Sequence, residues 1–308
     1  MKIPILHRSL KSPYAQKTML IMGYLNQSYL SFIAPKGIPR PIEEELVGEY
    51  SRRIPILQIG ADLYCDSELI MKVLAEKNES DYLFNYPSFE EASKWIEKIE
   101  IHGNTSIFGS IKPLELVCAY FKNMPPNHAW KFISDRAKLG KTVKLPNADL
   151  PHEQKVNIAQ KYLKEVDKQL SKQQFFLTCK MPTSVDFTAF TMIYYLDTIN
   201  KLKLAEGLPN LHRWYKRMSS IGTGSFNEIS GKECLEVARD ASPMPIDSQY
   251  LNSSRIGQEI TFTNKGFMAQ MNSGVKGVVV GENDNVIILR RESPQVGVVH
   301  VHLPKLSY

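Results

Sequence analysis

The stretch of residues 52–67 constrains the fold of this chain more than any other. It opens with two short strand-like runs, separated by a turn at Gly60. Pro55 stands at the entrance of the first run, where its missing N–H costs no interior ladder bond. Asp66 or Ser67 then occupies the N-cap position of a helix, ahead of apolar residues at helical spacing. The stretch therefore predicts a β-hairpin that leads directly into a helix.

Two groups of main-chain atoms in this stretch suit an extended ligand. If the bond between Ile54 and Pro55 is cis, the N–H and C=O of Ile54 face outward and can pair with a peptide as a strand would. The N-terminus of the following helix, at Asp66 and Ser67, offers N–H donors to a carboxylate. The sequence thus predicts a site for an extended ligand that carries a carboxylate.

This combination resembles the glutathione-binding half of the glutathione S-transferase family. The run Arg52-Arg53-Ile54-Pro55-Ile56-Leu57-Gln58-Ile59-Gly60-Ala61-Asp62-Leu63-Tyr64-Cys65-Asp66-Ser67 is similar to a bacterial and fungal branch with an extra β-rich C-terminal domain. The resemblance implies that Ile54 and Pro55 bind the cysteinyl part of glutathione. It implies that Asp66 and Ser67 bind the γ-glutamyl part.

The rest of the chain predicts a multidomain α+β protein. The order β-α-β-α-β-β-α over residues 1–83 is that of a thioredoxin-like α/β glutathione-binding domain. Residues 88–241 show helical periodicity and predict the all-helical C-terminal domain of the family. Within it, Thr183 and Asp186 fit an N-cap box ahead of an apolar helix. Residues 250–308 contain five strand-like runs, among them 266–271, and predict a small antiparallel β domain, a barrel or a sandwich.

The composition excludes several classes of partner. The net charge of +6 is modest, and no cluster of Lys and Arg with interleaved aromatic residues indicates nucleic acid. No window holds the roughly 20 apolar residues that a membrane span needs. The four cysteines are far apart, with no metal-binding or redox spacing, which favours buried thiols in a reducing cytoplasm.

Ser12 is the candidate catalytic residue. Glutathione chemistry needs a thiolate near neutral pH, whereas a free cysteine thiol has a pKa of about 8.5. Ser12 caps the helix that begins at Pro13, so its hydroxyl and the helix N-terminus could both stabilise a thiolate. Ser9 and Tyr14 are alternatives for the same role. In the run Ser12-Pro13-Tyr14-Ala15, Ser stands where the resembled omega-type transferases and glutaredoxins have Cys, which weakens a thiol-reductase reading.

The resulting hypothesis is a glutathione transferase that uses glutathione as co-substrate and attacks a hydrophobic electrophile, with no metal. The resemblance also implies a homodimer. The second substrate is expected where the helical domain faces Ser12, with four candidate residues by position, Asn104, Ser106, Phe108 and Tyr120. A reductase or peroxidase using Cys65, and a non-catalytic scaffold, remain alternatives.

Two further sets of residues have a structural explanation that we favour. Arg40 and Arg53 could pair with the glycyl carboxylate of glutathione, but such arginines more often form surface or structural contacts. His300 and His302 share a face if they lie on a strand and could ligate a metal. No third ligand is evident, so the sequence favours a surface pair.

Overall fold

The computed structural model describes residues 2–10, 12–99, 106–123, 125–142, 149–263 and 274–305. Its strands are β1 (Ile5–Arg8), β2 (Tyr29–Ile33), β3 (Ile56–Ile59), β4 (Asp62–Cys65), β5 (Phe226–Glu228), β6 (Glu259–Phe262), β7 (Val275–Glu282), β8 (Val286–Ser293) and β9 (Gly297–Pro304). Its helices are α1 (Pro13–Tyr24), α2 (Pro41–Val47), α3 (Ser67–Lys77), α4 (Phe89–Lys98), α5 (Phe108–Ser110), α6 (Pro113–Asn123), α7 (Pro126–Thr142), α8 (His152–Leu170), α9 (Ser184–Asn200), α10 (Pro209–Ser219) and α11 (Gly231–Arg239).

The first part of the chain forms the predicted thioredoxin-like domain. Strand β1 pairs in parallel with β2 and antiparallel with β3, and β3 pairs antiparallel with β4. Ser12 caps α1 and Asp66 caps α3, as the sequence predicts. The side chains of β1, β3 and β4 are buried on both faces, because helices cover the sheet.

The helical part of the molecule is organised around Asp186 at the start of α9. Its carboxylate accepts hydrogen bonds from the N–H of Thr183 (2.9 Å), the N–H of Phe176 (3.0 Å) and the indole of Trp214 on α10 (2.8 Å). The predicted capping box at Thr183 is present. The apolar run at residues 114–120 predicts a buried segment, but the side chain of Leu114 on α6 is 72% exposed.

The C-terminal strands do not form the barrel or sandwich that the sequence suggested. They extend the thioredoxin-like sheet, whose described strands follow the order β5-β2-β1-β3-β4-β9-β8-β7-β6. The physical reason is that β9 pairs in parallel with β4, whose outer edge otherwise presents unpaired N–H and C=O groups. The predicted hairpin of β7 and β8 is present. The predicted strand at 266–271 lies outside the described residues.

Two apolar cores hold these layers together. One joins α1 and α3 to the helical part and includes Met22, Ile70, Phe187 and Trp214. The other joins β3, β4 and α2 to the C-terminal strands and includes Ile56, Leu63, Leu289 and Val301. In the part of the chain that the structure covers, no helix is both long enough and apolar enough to cross a bilayer.

Candidate functional site

The strand register brings three loops to one end of the sheet. His7 near the end of β1 lies opposite Ile56 at the start of β3, and Ile56 lies opposite Cys65 at the end of β4. The loop after β1, the Ile54–Pro55 segment before β3 and the Asp66–Ser67 turn after β4 therefore share this end. These are the segments in which the sequence places its site residues.

The bond between Ile54 and Pro55 is cis, as predicted. Neither the N–H nor the C=O of Ile54 has a hydrogen-bond partner among the residues that the structure describes. A peptide that approached this segment could therefore form main-chain hydrogen bonds without displacing any described bond.

Arg40 holds the loop that precedes Pro55. Its buried guanidinium donates to the carbonyl oxygens of Pro35 (2.7 Å), Lys36 (3.2 Å), Ser51 (2.9 Å) and Arg52 (2.8 Å). The head of Arg40 thus has a structural role, and it is not placed to pair with the glycyl carboxylate of a ligand.

The two arginines that follow in the sequence face different neighbours. Arg53 lies over the ring of Tyr50, with its Cζ 5.4 Å from the ring centroid. Arg52 donates to Asp135 on α7 at 2.7 Å, which ties the helical part to the loop before Pro55.

Asp66 and Ser67 form the start of α3. Asp66 has φ of 80°, and its carboxylate accepts the N–H of Glu68 at 2.8 Å. Burial raises the pKa of Asp66, while the nearby charges of Lys17 and Arg53 act in the opposite direction. Ser67 is buried, and its N–H has no acceptor among the described residues. The helix start therefore has one free donor on the side of the site.

Lys17 on α1 is a member of this site that sequence reasoning missed. Its side chain is 2% exposed, pairs with the carboxylate of Glu68, and has its Nζ 3.5 Å from Oγ of Ser67. Glu68 also accepts from the hydroxyl of Thr188 on α9 at 2.9 Å. The spacing of the apolar residues in α1 places Lys17 outside the face of the helix that is expected to be buried. No signal in the neighbouring sequence could therefore have indicated that Lys17 is buried. Packing against the helical part buries it.

Ser12 lies at the N-terminus of α1, and its hydroxyl oxygen accepts the N–H of Ala15 at 3.4 Å. This bond uses a lone pair of the oxygen and leaves the hydroxyl hydrogen able to donate. The side chain is half-buried, as is that of Tyr14, whereas Ser9 is buried. The three hydroxyl candidates thus remain on one short segment next to Ile54–Pro55.

Comparison with known proteins shows which family the chain is similar to. Residues 6–81 match the family model described as Glutathione S-transferase, N-terminal domain, and residues 152–217 match Glutathione S-transferase, C-terminal domain. A GST-like protein from Pseudomonas syringae is 25% identical, with a TM-score of 0.70, over 100% of this chain and 98% of its own. The chain therefore contains regions that match both domains of the glutathione S-transferase fold.

Other glutathione S-transferase structures resemble a smaller share of the chain. One from Vibrio parahaemolyticus is 16% identical over 70% of this chain and 93% of its own, with a TM-score of 0.47. One from Methylobacillus flagellatus, with glutathione bound, is 17% identical over 71% of this chain and 98% of its own, also with a TM-score of 0.47. A search of curated proteins finds no significant match.

The four thiols of this chain divide into two classes. Cys65 and Cys234 are buried, and Cys118 and Cys179 are exposed. Burial and the neighbouring Asp66 raise the pKa of Cys65 well above its usual range, although Cys65 directly precedes the candidate site. Burial, followed by the charge of Glu43, raises the pKa of Cys234 to about 12. Neither buried thiol has the low pKa of a redox nucleophile.

The predicted residues of a second-substrate pocket are only partly described. Asn104 and the side chain of Phe108 lie outside the described residues. Ser106 is 3% exposed, and its hydroxyl has no described partner. The hydroxyl of Tyr120 lies 3.4 Å from that of Tyr195, and its ring packs on Phe132. Aromatic side chains from α6, α7 and α9 therefore meet in the helical domain.

His300 and His302 are not the surface pair that the sequence favoured. Each is only 12% exposed, because both lie at the seam between β4 and β9. His302 is hydrogen-bonded to Asp62 of β4 at 3.0 Å, and its ring stacks on Tyr64. Within the described ranges, no group of three or more His, Cys, Asp or Glu side chains is arranged to hold a metal.

Proposed function

We propose that this protein is a glutathione transferase, with glutathione as co-substrate. The observation that supports this best is the pair of unpartnered main-chain groups on Ile54, next to a cis-proline and beside the free helix start at Ser67. In the proposed complex, the cysteinyl main chain of glutathione pairs with Ile54. Its γ-glutamyl end binds at Asp66 and Ser67, and its sulfur faces the N-terminus of α1.

Ser12 activates the sulfur in this proposal. To populate the thiolate at neutral pH, the thiol pKa must fall by about two units from about 8.5, which requires about 2.7 kcal/mol. A hydroxyl that donates to the thiolate supplies about 1.5–3 kcal/mol, and a helix N-terminus adds about 0.3–1 kcal/mol. Ser12 offers both, so the two contributions together reach the required magnitude.

The thiolate then attacks an electrophilic carbon of the second substrate. The new carbon–sulfur bond forms as the leaving group departs with its electron pair. The aromatic side chains of Tyr120, Phe132 and Tyr195 favour a hydrophobic electrophile. The second substrate in this proposal binds in the helical domain.

Conjugation of glutathione to 1-chloro-2,4-dinitrobenzene tests the activity. With Ser12→Ala we expect kcat/KM to fall by about tenfold to a hundredfold, because one hydrogen bond to the developing thiolate is lost. The pKa of the bound thiol, followed by its ultraviolet absorbance, should rise in the same variant. Ser9→Ala and Tyr14→Phe serve as matched controls.

Each other outcome of this experiment has a defined meaning. If Tyr14→Phe or Ser9→Ala carries the loss instead, the hydroxyl donor is reassigned. If the wild-type protein neither binds nor conjugates glutathione, the proposal is wrong and the non-catalytic alternative gains support. A reductase activity that is lost in Cys65→Ser would also overturn it, but the buried, high-pKa thiol of Cys65 argues against that result.

A further inference from the structure

We propose that the C-terminal hairpin of β8 and β9 positions the segment that presents Ile54, by holding helix α2 in place. The positioning residues are Arg291 and Ser293 of β8 and Gln295 of the turn between β8 and β9. Helix α2 belongs to the connection that leads into Ile54–Pro55, so its position fixes where those main-chain groups lie. This inference rests on the proposed function, and it assigns a role to the C-terminal strands.

The first observation is that Glu45 of α2 faces the hairpin. Its carboxylate accepts hydrogen bonds from the hydroxyl of Ser293 at 2.9 Å and from the side-chain amide of Gln295 at 3.0 Å. Glu43, two residues earlier, lies on the opposite side of the helix, where it is buried and 3.3 Å from Nδ1 of His7 on β1. Helix α2 is therefore held on two sides, by β1 near Glu43 and by the hairpin near Glu45.

The second observation is the contact of Arg291 with the end of α2. Its half-buried guanidinium donates to the main-chain oxygen of Glu45 at 3.4 Å. It also lies against Gly48, where an added Cβ would be 2.9 Å from the guanidinium carbon. Gly48 follows the last residue of α2 and has φ of 61°. A cation at the C-terminus of a helix is favourable, so Arg291 stabilises this end of α2.

Apolar contacts join the same parts of the molecule. Val47 of α2 and Tyr50 in the helical turn that follows it share one buried core with Leu289 of β8 and Val299 of β9. Helix α2 is thus attached to the hairpin by both polar and apolar groups. A variant that loses one polar group should therefore stay folded, with α2 held less firmly.

Arg40 transmits the position of α2 to Ile54. It immediately precedes α2, and its guanidinium donates to the carbonyl oxygens of Ser51 at 2.9 Å and Arg52 at 2.8 Å. The two ends of the segment 40–52 are thereby bound to each other, with α2 between them. A movement of α2 away from the hairpin would shift Arg52, and with it Ile54 two residues later.

Hydrogen exchange at the amides of residues 48–57, followed by mass spectrometry, tests this positioning. In Glu45→Ala we expect these amides to exchange about tenfold to a hundredfold faster than in the wild-type protein, because hydrogen bonds to a carboxylate are lost. Glu292→Ala is the matched control, since that glutamate of the same hairpin is 60% exposed and pairs with Arg290, and it should leave the exchange unchanged. If Glu45→Ala does not fold, Ser293→Ala removes only one hydroxyl and should give a smaller acceleration in the same residues.

The affinity for glutathione, measured by isothermal titration calorimetry on the same proteins, shows whether the restraint reaches the site. Glu45→Ala should bind glutathione about threefold to tenfold more weakly, because only the held segment presents Ile54 and its population falls. At saturating glutathione kcat should equal the wild-type value, because the bound ligand keeps the segment in place. Arg291→Met, which loosens α2 from the hairpin side, should accelerate exchange in the same residues.

Three results would overturn the inference. The first is unchanged exchange at residues 48–57 in folded Glu45→Ala and Arg291→Met. The second is an equal acceleration in α9, which would show a general loss of stability. The third is faster local exchange with unchanged affinity for glutathione, which would show that the hairpin holds the segment without positioning the site. Absence of glutathione binding to the wild-type protein would instead refute the proposed function, while the exchange measurement would still decide whether the hairpin holds α2.

Discussion

Single residues act at this site chiefly by arranging main-chain groups. Pro55 presents the polar atoms of Ile54, Asp66 caps the helix whose N–H at Ser67 stays free, and Arg40 binds the carbonyls of the loop before them. Only Ser12 among the predicted residues is assigned a chemical step.

The reactivity of the four cysteines is a direct prediction at this scale. Because Cys65 and Cys234 are buried and their pKa values are raised, only Cys118 and Cys179 should react quickly with Ellman's reagent. We expect two fast thiols in the native protein and all four after unfolding in guanidinium chloride. Cys118→Ser should lower the native count by one. Rapid labelling of Cys65 would contradict this and revive a redox function.

Sequence reasoning predicted the local structure of the candidate site residues. Ile54–Pro55, Asp66–Ser67 and Ser12 were predictable because caps and proline segments depend on the residues next to them. Lys17 and Arg40 were not, since their roles depend on burial by distant segments. Lys17 is buried by packing against Glu68 and the helical part, and Arg40 binds carbonyls up to twelve residues away. No pattern within one helix or loop records such contacts.

Elements were predicted best where their ends carry strong signals. The sequence predicts helices at 67 to about 77 and at 152–170 and a strand at 29–33, and α3, α8 and β2 have these bounds. For helix α6 the sequence pattern was not sufficient, because an apolar run is buried only where another element covers it. Here Leu114 faces outward in the described chain.

Arg40 should be essential for the ordered conformation of the loop between β2 and β3. Arg40→Met leaves four carbonyl oxygens without their donor, so we expect a loss of about 2–4 kcal/mol in the free energy of unfolding. Because that loop leads into Ile54–Pro55, KM for glutathione should rise more than kcat falls. Urea unfolding and steady-state kinetics measure both effects.

Arg239→Met is the matched control, because that arginine is about half exposed and its one ion pair within the described ranges is with its neighbour Asp240. It should leave stability and KM unchanged within error. An Arg40→Met protein with wild-type stability and KM would show that the loop is held by other contacts.

The whole molecule differs from expectation in how its last strands are attached. Sequence patterns predicted the strands but not their neighbour, because the pairing of β4 with β9 joins Asp62 to His300 across most of the chain. The same seam includes Met244, whose N–H donates to Asp62 at 2.8 Å. The C-terminal strands therefore complete the sheet that carries the candidate site.

The contacts of Glu282, at the end of β7, can be used to test how the C-terminal strands are held together. Its carboxylate, 6% exposed, accepts from Arg255 and Ser253 before β6 and from Lys305 after β9, at 3.0 Å for Lys305. These partners, with the hydrogen bond to Arg255 as the largest cause, lower the pKa of Glu282 to about 2. A carboxyl group whose pKa is lowered by folding stabilises the folded state. This stabilisation is fully present at pH values above the unfolded pKa of about 4.5, and it decreases as the pH falls toward the folded pKa of about 2.

Glu282→Gln should therefore lower the free energy of unfolding by about 1–2 kcal/mol at pH 7. This range is smaller than the pKa shift alone would imply, because Arg255 remains partly in water. At pH 4 the difference from wild type should shrink by about 0.5–1 kcal/mol, since the unfolded carboxyl then gains protons. Urea unfolding at the two pH values measures this, with Glu259→Gln, an exposed ion-paired glutamate of β6, as control. A difference that is constant or grows on acidification would contradict the assignment, because only a carboxylate stabilised in the folded state loses its advantage in acid.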